Sequence, residues 1–194
     1  MKLKILFFVF LLVCSSCALD KRDIISSNFD FADIQLKHAF VEMDSVYKST
    51  DKLLANPRNI DPNGFLRMVA SHDWTSGFFP GNLWYAYQLT GIEDLKKDAV
   101  KFTNYLYPLK DYKGTHDIGF MVNCSYGNAH RLSPADTIRQ ILVQTADNLC
   151  GRFDSNIGCI RSWDFGKWNF PVIIDNMMNL DLLFYVNHLT NDSK

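Results

Sequence analysis

Apolar residues recur every three or four positions along most of this chain, which is the spacing of one face of an α-helix. The pattern predicts helices over 29–55, 76–90, 92–107, 116–128, 134–151 and 171–187. Ser76, Thr115 and Ser133 stand where helix N-caps are expected, and Gly91 stands where a helix ends. Prolines break the pattern between residues 56 and 64. The predicted fold class is therefore all-α.

The predicted helices are of two kinds. Those over 76–90, 116–128 and 171–187 are apolar nearly all round, whereas those over 92–107 and 134–151 have one polar face. A helix that is apolar on all sides is surrounded by protein. The alternation therefore predicts two concentric layers of helices.

An internal repeat agrees with this arrangement. The segments LWYAYQLTG (83–91) and LFYVNHLTN (183–191) share Leu, Tyr, Leu and Thr at matching positions, 100 residues apart. Two helical hairpins of about 50 residues each give this offset. The sequence predicts an (α/α) barrel of helical hairpins. Because the last predicted inner helix has no partner after it, we expect an incomplete barrel.

The composition excludes several functional classes. The chain has 194 residues, of which 47% are hydrophobic and 21% charged, as is typical of a folded globular chain. The formal net charge of −1 predicts no electrostatic attraction to nucleic acid or to an anionic membrane surface. The sequence also lacks the phosphate-binding motifs GxxxxGK[ST] and GxGxxG and the serine hydrolase motif GxSxG.

Residues 1–17 have the pattern of an export signal, because a basic start is followed by an apolar run over 5–13 and then by small residues. Cys17 follows two serines, as in the cleavage site of a bacterial lipoprotein, and would carry the lipid. Secretion with cleavage after Ala18 is the alternative. Both alternatives, lipidation and secretion, predict an exported bacterial protein that is either periplasmic or an outer-membrane lipoprotein. The lipid would be its only attachment to a membrane.

Residues 18–28 are predicted to be a polar linker, and residues 29–194 to be the partial barrel domain. This domain contains Cys124, Cys150 and Cys159, without a CxxC motif or a histidine at zinc spacing. The cysteines are therefore predicted to be buried free thiols rather than metal ligands. One disulfide with one free thiol is the alternative in an oxidising compartment.

Two aspartates near the starts of apolar helices are candidate acid–base groups. Asp117 is predicted in a first helical turn, where exposed N–H groups favour an ionised carboxylate. Asp175 is predicted about one turn inside the last helix, among apolar residues, where desolvation raises the pKa of a carboxyl group. Asn179 shares its face as a hydrogen-bond partner. The two predicted environments suit one aspartate acting as the acid and the other as the base. Taken alone, Asp117 is also consistent with a helix cap, and Asp175 with a structural hydrogen-bonding group.

Trp74, His116 and Trp163 complete the candidate site. Tryptophans at polar junctions beside carboxylates suit stacking on a sugar ring, and packing over a helix end is the alternative. His116 is predicted either to orient Asp117 or to bind substrate, with a purely structural role as the alternative.

Three segments together resemble glycoside hydrolase family 88, the unsaturated glucuronyl hydrolases. They are DWTSGFFPGNLWYAYQLTG (73–91), THDIGFM (115–121) and PVIIDNMMNLDLLF (171–184), in the family's order and with similar spacing. The resemblance implies a six-hairpin α/α barrel, of which this chain holds the N-terminal half. It also implies a hydrolase acting on lyase-generated oligosaccharides of glycosaminoglycan type, which carry a C4=C5 unsaturated uronic acid at the non-reducing end.

The resemblance also implies roles for the candidate residues. Asp175 would protonate C4 of the vinyl ether, Asp117 would be the second key acid, and Trp74, His116 and Trp163 would contact the substrate. Neither a metal nor an organic cofactor is implied. The alternatives are an unsaturated rhamnogalacturonyl hydrolase on the same fold, and a non-catalytic glycan-binding lipoprotein or inactive fragment.

Overall fold

The computed structural model describes residues 21–49 and 54–191, so the predicted export signal and Cys17 lie outside the described residues. The described residues fall into two compact units that divide between His38 and Ala39, and each unit is described by itself. The described part of the first unit belongs to helix α1 (Lys21–Ser49). Residues 21–28, which fall in the predicted linker, are helical, and their role as a linker stays a prediction. This stretch contains neither glycine nor proline to prevent a helix.

The second unit continues from α1 through short hairpins and a series of helices. In chain order they are β1 (Asn56–Ile60), β2 (Leu66–Val69), α2 (Phe78–Thr90), α3 (Glu93–Asn104), a 3-10 segment (Tyr107–Asp111), α4 (Ile118–Val122), a π-helical turn (Asn123–Gly127), α5 (Asn128–Leu132), α6 (Asp136–Cys150), β3 (Phe153–Asp154), β4 (Cys159–Ile160) and α7 (Asn176–Thr190).

The helical prediction is confirmed, and strands among the described residues are confined to two antiparallel hairpins, β1–β2 and β3–β4. In the first hairpin Asn56 pairs with Val69 and Ile60 pairs with Leu66. The helices α4 and α5 and the π-helical turn between them form one continuous run.

The internal repeat corresponds to a structural repeat at the ends of α2 and α7. Gly91 (φ 70°) ends α2 and Asn191 (φ 55°) ends α7, both in the left-handed conformation, with the N–H bonded to the carbonyl four residues earlier. Thr90 and Thr190 each donate their hydroxyl to the carbonyl four residues earlier, at 2.7 and 2.9 Å. Glycine and asparagine are the residues that adopt this conformation most readily.

The predicted N-caps at Ser76 and Ser133 are wrong. Gly77 precedes α2 and Ala135 precedes α6, in each case without a capping side chain. The fully buried Ser76 instead donates its hydroxyl to the carbonyl of Ser71, at 2.7 Å, and so fixes the turn that leads into α2.

The outer helices pack with one face on the inner ones, as their two-faced pattern predicts. The indole N–H of the buried Trp84 on α2 donates to the hydroxyl of Thr103 on α3, at 2.9 Å. Helix α6 packs against α4, α5 and α7. The main core cluster consists of Ala55, Leu106, Leu109, Phe120, Met121, Val122, Tyr126, Ile141, Leu142, Ala146, Leu182 and Val186.

The backbones of α4 and α7 approach each other at Gly119. A Cβ added to Gly119 would lie 2.6 Å from the carbonyl oxygen of Asn179 and 2.7 Å from its Cα, closer than real Cβ atoms approach other atoms. Asn179 is fully buried and uses its amide at this crossing. It accepts the N–H of Phe120 at 3.0 Å and donates to the backbone carbonyl of Asp175 at 3.1 Å.

The prediction that the last helix is surrounded by protein is wrong for the described chain. On α7 the buried residues are Asn179, Leu182 and Val186, whereas Met177 and Phe184 are exposed. The described elements pack on one side of α7 and leave the other apolar side uncovered. Of the helices in the described ranges, none is both long enough and apolar enough to span a bilayer.

The three cysteines are free thiols, as predicted, but they are not all buried. Cys150 is exposed, and Cys124 and Cys159 are partly accessible. Burial, with a smaller contribution from Asp181, raises the pKa of the Cys124 thiol.

We predict that Gly119→Ala lowers the free energy of unfolding by about 1–3 kcal/mol, the usual cost of overpacking, because the new methyl group would push α4 away from α7. Gly151→Ala is the matched control. Its φ is −62° and its nearest Cβ contact would be an ordinary 3.4 Å. Urea denaturation of both variants measures the difference. Equal stability of the two variants would contradict the close approach at Gly119.

Candidate active site

Asp117 and Asp175 occupy equivalent positions, each immediately before a helix. Asp117 precedes α4 with φ −56° and ψ −19°, and Asp175 precedes α7 with φ −58° and ψ −21°. The prediction that Asp175 lies one turn inside the last helix is therefore wrong, because α7 begins at Asn176. The crossing of α4 and α7 brings the two helix starts together.

The segment before Asp175 is tied to a neighbouring loop and is not helical. Ser162 donates its N–H to the carbonyl of Pro171 at 2.8 Å, and Ile173 donates its N–H to the hydroxyl of Ser162 at 3.2 Å. The first of these bonds uses the carbonyl of Pro171, which a helix starting at residue 171 would need for its first intrahelical bond. The β-branched run of residues 172–174 also loses less side-chain freedom outside a helix.

His116 lies between the two carboxylates. Its side chain is 1% accessible, and its Nε2 atom is 3.1 Å from Oδ1 of Asp117 and 3.6 Å from Oδ2 of Asp175. Burial lowers the pKa of His116, but hydrogen bonds with Asp117 and Asn176 and the charges of both aspartates outweigh it, so the pKa is raised. The site therefore favours a positive imidazole ring between two acids.

The other side of the imidazole ring contacts Asn176, which the sequence analysis did not single out. Nδ1 of His116 lies 2.5 Å from Oδ1 of Asn176, whose Nδ2 donates to the carbonyl of Ile160 at 2.8 Å. The one sequence signal that points to Asn176 is its position directly after Asp175 in the apolar motif. Its partner is 60 residues away along the chain, so no local pattern reveals the contact.

The Asp117 carboxylate is held by its neighbours. Its Oδ2 accepts the hydroxyl of Thr115 at 2.8 Å, while Oδ1 faces Nε2 of His116. Thr115 was predicted to cap the helix. Its hydroxyl instead restrains this carboxylate and also accepts the N–H of Asp117 at 3.3 Å.

The Asp175 carboxylate is less restrained. It lies beyond hydrogen-bond distance from Nε2 of His116, and its side chain is 31% accessible. The neighbouring apolar residues do not bury it as predicted, since Ile174 is 86% exposed and Met178 is 54% exposed. Asn179 was predicted to bond this carboxyl group, but it bonds the backbone carbonyl of Asp175.

Trp163 lies beside His116, with the two ring centroids 6.4 Å apart. Its ring stacks on Phe165 at 5.5 Å. Its backbone pairs with Thr115 in an isolated antiparallel bridge. The structure therefore brings Trp163 together with His116 and both acids.

A buried arginine fixes the loop that carries Trp163. The guanidinium of Arg152 donates to both carboxylate oxygens of Asp164, at 3.0 and 3.2 Å, and its Nε donates to the carbonyl of Arg161 at 2.8 Å. It also donates to the carbonyl of Lys113. The hydrogen bonds from Arg152 hold the pKa of Asp164 below its usual value. Paired, planar contacts of this kind restrict the loop on both sides of Trp163.

Trp74 is connected to the site through aromatic neighbours. Its indole packs edge-on against Phe120 at 6.3 Å and Phe78 at 6.1 Å, and the guanidinium of Arg58 lies 5.7 Å over its ring. Phe120 follows Asp117 by three residues on α4. Trp74 is about half exposed, and its free ring surface is available to a ligand.

His116, Asp117 and Asp175 also have donor atoms suited to a divalent cation. One nitrogen of His116 and one oxygen from each of Asp117 and Asp175 lie within 4.8 Å of one another. The prediction that no metal is used stays a prediction, and its test is given below.

Comparison with known proteins gives related sequences and structures. No protein-family model matches the chain. The chain is 44% identical over 128 residues to the unsaturated glucuronyl hydrolase of Formosa agariphila, covering 64% of this chain and 32% of that protein. It is 29% identical over 138 residues to an unsaturated chondroitin disaccharide hydrolase of Streptococcus agalactiae, covering 68% and 34%.

A solved structure is similar over a larger part of the chain. The crystal structure of an unsaturated glucuronyl hydrolase specific for heparin matches with a TM-score of 0.70 and 44% identity, over 80% of this chain and 42% of that one. These matches confirm the family resemblance and the helical barrel fold predicted from the sequence. The chain spans about a third of the length of the curated relatives.

We predict that His116→Gln lowers stability more at acidic than at alkaline pH. Because the folded-state pKa lies above the ordinary value of 6.5, the folded protein binds more protons than the unfolded chain just above pH 6.5. The stability from His116 is thus complete below that pH and is lost as the pH rises through the folded-state pKa. Urea denaturation at several pH values measures it.

Thr103→Val is the control for this prediction, because it removes a buried hydrogen bond without removing a titratable group. Its effect on stability should be constant over the same pH range. If the effect of His116→Gln is equally constant, the charge assigned to His116 between the two acids is wrong.

Proposed function

We propose that this chain, a homologue of the unsaturated glucuronyl hydrolases, carries the acid–base groups of a hydrolase that acts on lyase-generated glycosaminoglycan oligosaccharides. The enzyme would release the C4=C5 unsaturated uronic acid from the non-reducing end. The supporting observation is the placement of Asp117 and Asp175 at 3.1 and 3.6 Å from one buried imidazole nitrogen. The relatives named as glucuronyl and chondroitin disaccharide hydrolases support the substrate class.

The proposed reaction is hydration of a vinyl ether. The protonated carboxyl group of Asp175 gives its proton to C4, which forms a C–H bond as the C4=C5 double bond breaks and leaves an oxocarbenium centre at C5. Water attacks C5 and returns a proton to Asp175, which restores the starting enzyme. The hemiketal opens to a ketone at C5 and a hemiacetal at C1, which expels the remaining sugar. One water molecule is consumed.

The geometry suggests a separate role for each acid. Asp175 is the less restrained and more accessible carboxyl group, as a group that must contact substrate and water should be. Asp117 is held by Thr115 and His116, and its fixed negative charge would stabilise the positive centre and orient the water. Trp163 and the exposed part of Trp74 would stack on sugar rings. Of the two roles predicted for His116, orienting Asp117 is the better supported, because its side chain is 1% accessible and its Nε2 faces Asp117.

The proposal also covers where in the cell the enzyme acts. The export-signal pattern over 1–17 and the lipoprotein-like Cys17 support the proposal that the hydrolase acts outside the cytoplasm. Radiolabelled palmitate incorporated into the wild-type chain but not into a Cys17→Ala variant supports lipidation. Equal labelling of the two would contradict it.

We predict that Asp175→Asn lowers turnover by about 10²- to 10⁴-fold, the usual contribution of a general acid–base group, while disaccharide binding measured by tryptophan fluorescence changes little. The assay follows the loss of ultraviolet absorbance as the conjugated double bond disappears. Asp136→Asn is the matched control, since Asp136 is an exposed aspartate at the start of α6.

The substrate panel separates the proposal from its alternatives. It contains unsaturated disaccharides from heparin, chondroitin and rhamnogalacturonan. Turnover of the first two supports the glucuronyl hydrolase, and turnover of the third alone supports the rhamnogalacturonyl alternative. Binding without turnover supports the non-catalytic alternative. Full activity of Asp175→Asn would exclude Asp175 as the proton donor.

We also predict that turnover is unchanged after dialysis against EDTA, because Asp175 acts by transferring a proton and Asp117 acts through its negative charge. Inductively coupled plasma mass spectrometry of the dialysed protein verifies that metal has been removed. If activity is lost and a divalent cation restores it, these residues are metal ligands and the proton-transfer assignment is wrong.

A further inference from the structure

The amide of Asn176 has one chemically reasonable orientation. Its Nδ2 lies 2.8 Å from the carbonyl oxygen of Ile160, which accepts hydrogen bonds and cannot donate them. Rotating the amide by half a turn would place two acceptor oxygens against each other. Oδ1 is therefore the atom that faces His116, at 2.5 Å from Nδ1.

This orientation determines which ring nitrogen of His116 carries the permanent proton. Because Oδ1 of Asn176 is also an acceptor, Nδ1 must be the donor in the contact between them. The neutral ring then has its lone pair on Nε2, and Nε2 is the nitrogen that gains or loses a proton. The groups facing Nε2 are the carboxylates of Asp117 and Asp175.

We propose that Asn176 is a positioning residue that keeps a proton on Nδ1 of His116 and so reserves Nε2 for the proton that it donates to the carboxylate of Asp117, beside Asp175. The protonated Nε2 donates to Oδ1 of Asp117, and the same positive charge lies 3.6 Å from Asp175. The backbone N–H of His116 donates to the carbonyl of Ser162 at 2.8 Å and so fixes the main chain that carries the ring. The kinetic part of this inference rests on the proposed function, whereas the tautomer does not.

The test is nitrogen-15 NMR of the histidine rings in the full chain, with His116→Gln used to assign the signals. We expect Nδ1 of His116 to remain protonated throughout a pH titration while Nε2 alone changes. In Asn176→Leu, we expect the neutral ring to move to the tautomer with the proton on Nε2. In Asn176→Asp, which keeps an acceptor oxygen, we expect the wild-type tautomer.

Asn148→Leu is the matched control. Asn148 is also partly buried and donates its amide to a backbone carbonyl, that of Lys110, at 2.7 Å, but it lies outside the site. It should leave the His116 signals unchanged. A wild-type neutral ring with its proton on Nε2 would overturn the inference, and apart from the signal assignment this measurement uses the wild-type protein alone.

Kinetics on an unsaturated disaccharide supply the second measurement. We expect Asn176→Leu to lower kcat by about 10- to 100-fold, as loss of an orienting partner does for metal-binding histidines, with KM changed less than kcat. We expect Asn176→Asp to recover part of the loss. A wild-type kcat in Asn176→Leu would overturn the positioning role. Absence of turnover in the wild-type chain with the expected tautomer would instead count against the proposed function.

Discussion

The close approach of α4 and α7 at Gly119 is the constraint on which the candidate site depends. With no side chain at position 119, the backbone of α4 lies directly against that of Asn179. The buried Asn179 amide then bonds one helix to the residue before the other. Asp117 and Asp175 immediately precede these two helices, so the crossing determines how far apart the acids lie. The site is therefore a product of backbone packing, and the side chains that perform chemistry add little to the contact itself.

Placing two carboxylates beside a buried ring would be costly without compensating charge and hydrogen bonds. His116 supplies the positive charge on its Nε2 side, while Asn176 satisfies Nδ1. Thr115 satisfies the far oxygen of Asp117. The backbone carbonyl of Ser162 accepts the N–H of His116, which attaches the cluster to the loop carrying Trp163. The polar groups thus form one connected network, and removing any member leaves another without its partner.

The sequence predicts well what depends on local chemistry and less well what depends on distant contacts. The left-handed end at Gly91 and the pairing of inner and outer helices follow from residue type and spacing. The start of α7 was misplaced by about a turn, because bonds between Ser162 and residues 171–173 hold that segment outside the helix. Asn176 could not be assigned a role, because its two partners, His116 and Ile160, become neighbours only through the fold.

The structure distinguishes Asp117 from Asp175 on a different basis from the one that the sequence predicts. The sequence analysis distinguishes Asp175 from Asp117 by its apolar neighbours, but Ile174 is exposed and Asp175 is partly accessible. In the structure the two acids differ in how firmly they are held. Asp117 accepts a hydrogen bond from the hydroxyl of Thr115 and lies 3.1 Å from Nε2 of His116, whereas Asp175 lies 3.6 Å from the same nitrogen. A group that must give a proton to carbon and then take one from water has to reach both, so it gains from having few bonds within the protein. A group that stabilises charge gains from being fixed. The two requirements conflict within a single carboxylate, which is a physical reason for the site to contain two.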